Sequence, residues 1–197
     1  MWRGSVRHQP KEGGEFPYRW PFFVLVASWF WNFLCAGVFG FLINLPIVNC
    51  YGHGTYLSMN HGHAALFGVY GMISIALLLF SWRGLVDKAH WNDRVLKVSF
   101  WGFNAGLGML TLCTLFPVGI LQTWTSFQDG LWAARSADFF EKGSVMFLGT
   151  VRIIPDLTII LVGVLPMAYF LFATYPHLKP VLIGEGESVW KKLGAEL

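Results

Sequence analysis

Residues 21–48, "PFFVLVASWFWNFLCAGVFGFLINLPIV", and residues 56–82, "YLSMNHGHAALFGVYGMISIALLLFSW", belong to a run from Pro21 to Trp82 that contains no Asp, Glu, Lys or Arg. A water-soluble core does not leave so long a run uncharged, because its helices turn one polar face to solvent. Two membrane-crossing segments do, and each quoted stretch exceeds the ~20 residues that traverse the hydrocarbon of a bilayer.

Two further segments, residues 95–123 and 144–175, meet the same length criterion. Lipid offers the backbone no hydrogen-bond partners, so all four are expected to be helices. The expected fold is therefore all-α, a polytopic membrane protein with four transmembrane helices. Residues 1–20 read as a cytoplasmic N-terminal segment, residues 21–176 as the transmembrane region, and residues 177–197 as a cytoplasmic tail. The joints are "NCYGHGT", "RGLVDKAHWNDR" and "WTSFQDGLWAARSADFFEK", all rich in turn and polar residues.

Composition agrees. The 197 residues are 55% apolar, 17% aromatic and only 13% charged, with a mean hydropathy of +0.52, which places the chain among membrane proteins. The net charge of +3 is small and its carriers flank the spans, so nucleic acid is not an expected partner and membrane lipid is. Cys35, Cys50 and Cys113 show no C-x-x-C spacing and read as packing residues, without a disulfide framework or a zinc site.

Arg3, Arg7, Lys11 and Arg19 precede the first span; Arg83, Lys88, Arg94 and Lys97 join the second to the third; Lys179, Lys191 and Lys192 follow the fourth. The opposite face has only Arg135 and Lys142. The positive-inside rule then puts both termini in the cytoplasm and the 49–55 loop outside. Trp20, Trp82, Trp91, Trp124 and Trp132 fall near the expected interfaces, as an amphipathic indole prefers. Gly102 and Gly106 form a G-x-x-x-G pattern expected to mark a close helix contact. Arg152 and Asp156, spaced i, i+4 inside the fourth span, are expected to pair.

Within the second span lie His61 and His63, separated by Gly62. Successive helical residues turn by about 100°, so these rings point about 200° apart and cannot share one metal ion. Each serves a different neighbour. Three readings meet that condition: hydrogen bonding to adjacent helices, axial ligation of a haem on each side, and ion or proton transfer. Small residues Gly62, Ala64 and Ala65 would let flat macrocycles approach, with Phe67 and Tyr70 against their edges.

The wider segment "FGFLINLPIVNCYGHGTYLSMNHGHAALFGVYG", with its H-G-T-x(5)-H-G-H-A-A core, resembles the C-terminal part of a nitric oxide reductase catalytic subunit of the quinol-dependent type, in the haem–copper oxidase superfamily. The likeness continues through "LFPVGILQTWTSFQDGLWAARSADFF" and "RIIPDLTIILVGVLPM". It implies that the four helices are part of a twelve-helix core in a bacterial-type inner membrane. It further implies two haems b, with His61 the proximal ligand of the high-spin haem and His63 an axial ligand of the low-spin haem. The position matching His53 lies near haem propionates, and Arg135, on the same outer side, is a candidate to pair with one; the alternative for both is a solvated loop residue.

Two departures stand out. The family pattern R-x-P-G-D reads "RIIPD" here, and Gly52 replaces a common glutamate. The family's non-haem iron, with its three histidines and a glutamate, and the second axial histidine of the low-spin haem have no candidates in this sequence; His8, His90 and His177 lie outside the expected spans. The resemblance therefore implies a C-terminal portion of a larger respiratory enzyme, inactive alone, whose partners are the remaining helices and a quinol or cytochrome c electron donor. The rival readings are part of an oxygen-reducing terminal oxidase, and a small stand-alone membrane protein that binds or assembles haem.

Overall fold

The computed structural model describes residues 16–178, and every regular element among them is helical. Four long helices have the length and hydropathy to cross a membrane: Arg19–Ile43, Tyr56–Leu85, Asp93–Asp129 and Gly143–Leu178. The segments preceding Phe16 and following Leu178, with Arg3, Arg7, Lys11, Lys179, Lys191 and Lys192, lie outside the described residues.

The first span ends at Ile43, earlier than hydropathy alone suggests, because Pro46 opens a separate short helix, Pro46–Gly52, from its first turn. Proline suits that position, where its missing N–H would have no partner. Much of the expected outer loop is thus helical. The third span runs on to Asp129 and stops at Gly130, whose φ of +93° only glycine adopts without strain.

Each span contains a stretch of wider π-helical winding near its middle: Asn32–Val38, Leu66–Gly71, Met109–Leu115 and Thr158–Val164. Such winding bonds each N–H five residues back, one more than the α-helix, and where it ends a carbonyl loses its usual donor.

The third span is the hub. Gly119 meets Leu57 of the second span, where an added Cβ would lie 2.5 Å from the Leu57 nitrogen. A Cβ on Gly102 would collide with the Val162 backbone of the fourth span, and one on Gly106 would lie 2.5 Å from Ile159. The G-x-x-x-G pair is therefore a helix contact, supported by Ser99 Oγ donating to Gly163 O at 2.6 Å. Trp31 Nε1 donates to Asn104 Oδ1 at 3.0 Å and ties the first span to the third. Trp82 Nε1 donates to Thr174 Oγ1 at 2.7 Å and ties the second to the fourth.

Apolar cores fill the bundle at successive levels. At the basic end, Trp20, Met72, Leu79, Leu96, Phe103 and Phe170 interlock. Mid-bundle, Trp31, Ala64 and Leu107 meet, and at the opposite end Val118, Phe139 and Val145 do. Arg152 and Asp156 pair with Nε to Oδ2 at 3.6 Å.

Candidate functional site

The "HGT" motif builds the entrance to the second span. Gly54 takes a φ of +70°, and its N–H donates to Ser58 Oγ at 3.1 Å. Thr55 caps the helix: its Oγ1 accepts from Leu57 N at 3.2 Å and donates to Gly52 O at 2.6 Å. This turn fixes where the helix begins and hence the rotational setting of the two histidines beyond it.

His61 faces the first span. Its Nδ1 lies 2.8 Å from Cys35 O. A carbonyl only accepts, so Nδ1 carries a proton, and in the neutral ring the lone pair is then on Nε2. The reason Cys35 O is free to accept is local. Phe39 N–H bonds Leu34 O at the end of the π-helical stretch, where regular α-helix would have paired it with Cys35 O. The ring also needs room, which Gly40 leaves: a Cβ there would come within 2.8 Å of His61 Cε1.

His63 turns away. Its Nδ1 lies 2.9 Å from Met59 O, one turn back on its own helix, so the neutral ring likewise carries its lone pair on Nε2. Met59 itself reaches toward the fourth span, with its sulfur 3.9 Å from Arg152 Nη1. Between the two imidazoles, Gly62 would meet nothing within 4 Å if it carried a Cβ, and Leu66 and Tyr70 below it are 68% and 66% exposed. The two rings thus straddle an uncovered helix face.

His53 and Arg135 meet at the loop end of the bundle. Arg135 Nη2 donates to His53 O at 2.6 Å and Nη1 to Leu131 O at 2.6 Å, so the guanidinium joins the loops on either side of the helix pair. His53 and His61 both line a cavity of about 210 Å³ with Asn44, Asn49 and Ser58. The structure therefore brings His53, His61 and Arg135 into one neighbourhood and leaves His63 apart.

One organising residue escaped the sequence reading. Gln122 is buried in the third span; its Oε1 accepts from Tyr56 N at 2.7 Å and its Nε2 donates to Ala134 O at 3.0 Å. It locks the start of the histidine-bearing helix to the loop that carries Arg135. An amide side chain in an apolar helix was the available signal.

Among the described residues no three His, Cys, Asp or Glu side chains converge as a metal site. The donor set instead suits a group that needs one imidazole at a time. An iron porphyrin takes an axial imidazole through one nitrogen while a hydrogen bond from the other fixes the ring, and both histidines are held in that state. His61 and His63 could therefore each hold a haem iron through one ring nitrogen.

The chain is similar to known proteins. The family described as cytochrome c and quinol oxidase polypeptide I matches residues 11–176. A nitric oxide reductase subunit from Stutzerimonas stutzeri is 36% identical over 97 residues, an alignment covering 47% of this chain and 20% of that protein. The matched part thus amounts to about a fifth of the length of this curated relative.

Proposed function

Because the chain belongs to the cytochrome c and quinol oxidase polypeptide I family, we propose that this membrane oxidoreductase chain supplies axial histidines to two haems b of a nitric oxide reductase. The reaction of the whole enzyme is the joining of two nitric oxide molecules with two electrons and two protons to give nitrous oxide and water. His61 is the ligand of the high-spin haem and His63 of the low-spin haem. The remaining helices, the non-haem iron with its ligands and the quinol or cytochrome c donor are contributed by other parts of the assembly. The membrane is a bacterial inner membrane, with both termini in the cytoplasm.

A single observation carries the reading: two imidazoles on diverging faces, each fixed through Nδ1 to a backbone carbonyl with Nε2 left as a donor. A haem iron held there would supply one-electron chemistry. What this chain's residues do is hold and tune. Cys35 O, accepting from His61 Nδ1–H, makes Nε2 a stronger donor and fixes the ring's plane; Met59 O does the same for His63. Gly40 keeps the first span close enough for the His61 bond to form. Arg135 and His53, joined at the rim, are the candidates to receive propionate carboxylates.

The test is spectroscopic. In the assembled enzyme, His63→Ala is expected to abolish the low-spin haem bands and His61→Ala to disturb chiefly the high-spin band. Retention of both haems in both variants would show the ligand assignment to be wrong. Oxygen reduction is the second reading, supported by the oxidases in the family's description. Turnover of oxygen in place of nitric oxide by the same assembly would favour it.

A further inference from the structure

At the basic end of the bundle, Arg19 begins the first span, Arg83 lies in the last turn of the second and Lys88 sits in the connection that follows. All three line one pocket of about 110 Å³, with Phe16, Pro17, Trp91 and Asp93. Among the described residues none of the three cations has a carboxylate within ion-pair distance. Arg83 is held rigidly: Nε donates to Pro17 O at 3.1 Å, Nη1 to Val86 O at 3.0 Å, and its carbon lies 5.1 Å from the Trp91 ring centre. Among the described residues that line it, three cations stand against one acid, an excess of two positive charges.

An apolar track starts at this pocket. Phe16 packs on Phe22 at 6.3 Å and Tyr18 on Phe80 at 4.9 Å. Phe16, Phe22 and Phe80 are 54%, 52% and 56% exposed, so the track runs along the surface of the first two spans into the hydrocarbon level. A compact anion binds the cations; only an anion with hydrocarbon chains also covers the aromatic strip.

We propose that Arg19, Arg83 and Lys88 form a binding site for the phosphate of an anionic phospholipid, whose acyl chains lie on Phe16, Phe22 and Phe80. The headgroup carries no ammonium, because an attached cation would be repelled by the three basic side chains. Basic pockets between helices at a membrane surface bind anionic headgroups on the same principle, each nearby cation contributing about fivefold in affinity.

The experiment titrates phosphatidylglycerol and phosphatidylcholine onto the delipidated, detergent-purified full chain and reads bound lipid by native mass spectrometry. The unaltered protein is expected to hold one phosphatidylglycerol in preference to phosphatidylcholine. Arg19→Gln with Lys88→Gln should weaken that binding about thirtyfold, whereas Arg94→Gln with Lys97→Gln, which removes two exposed cations of the same face outside the pocket, should leave it unchanged. The charge-keeping pair Arg19→Lys with Lys88→Arg should retain it. If the glutamine pair does not survive purification, Lys88→Gln alone should show a fivefold loss. Equal loss in both glutamine pairs would reduce the site to a diffuse surface charge. Full displacement by millimolar inorganic phosphate would make it a small-anion site, and equal retention of phosphatidylcholine would remove the headgroup selectivity; each result overturns the proposal.

Discussion

At the scale of single residues, the chemistry of His61 is set by two neighbours that carry no functional side chain. Cys35 contributes only its carbonyl, and Gly40 only the absence of a Cβ. Gly40→Val should therefore push the His61 ring off the Cys35 bond and shift the high-spin haem band of the assembled enzyme, while the low-spin band stays in place. Absorption spectra of the reduced enzyme check this, and an unchanged high-spin band would count against the role given to Gly40. Gln122 acts at the same scale: a buried amide with both ends bonded costs about 1–3 kcal/mol when one partner is lost, which makes it a fixed strut for the start of the second span. His53 and Arg135 are readable as polar residues in a loop, yet that their contact runs through the His53 carbonyl and not the imidazole is visible only in three dimensions.

At the scale of elements, the packing of the third span on the fourth decides the shape of the bundle. Gly102 lies directly against the Val162 backbone, which cannot swing aside as a side chain could. Gly102→Leu is expected to destabilise the bundle by about 1–3 kcal/mol or more, read as a lowered tryptophan-fluorescence melting temperature in detergent. Gly143→Leu, where an added Cβ would meet nothing within 4 Å, should melt as the unaltered protein does. A melting point unmoved by Gly102→Leu would deny the contact. The π-helical stretches belong to this scale too, since the one in the first span releases the carbonyl that His61 uses. Hydrophobic periodicity does not encode them, because lipid-facing and core-facing positions in these spans are both apolar.

At the scale of the whole molecule, the apolar surface exceeds what four helices can bury. Of the most apolar stretch of the fourth span 22% of residues are buried, against 44% in the third. Trp29, Phe33 and Phe172 stand 74%, 72% and 79% exposed. Lipid covers such faces, and under the proposed function further helices carrying the remaining haem and iron ligands do so as well. Expressed without any other polypeptide, the chain is expected to show no consumption of nitric oxide above the membrane background on a gas electrode. Sustained turnover by the isolated chain would mean that the ligand set is read incorrectly.

The four membrane-crossing helices were legible in the order of residues alone, because a bilayer leaves an uncharged apolar run of this length no other backbone solution. So was the divergence of His61 and His63, since helical rotation is set by peptide geometry and not by the neighbours. Packing in three dimensions was needed to show which carbonyl holds each imidazole, where Gly40 and Gly119 bring helices together, and how Gln122 ties a loop to a helix start. Those depend on which helix lies beside which, and in a membrane, where every face is apolar, the pairing of helices is chosen by small residues and single polar contacts spread far apart in the chain.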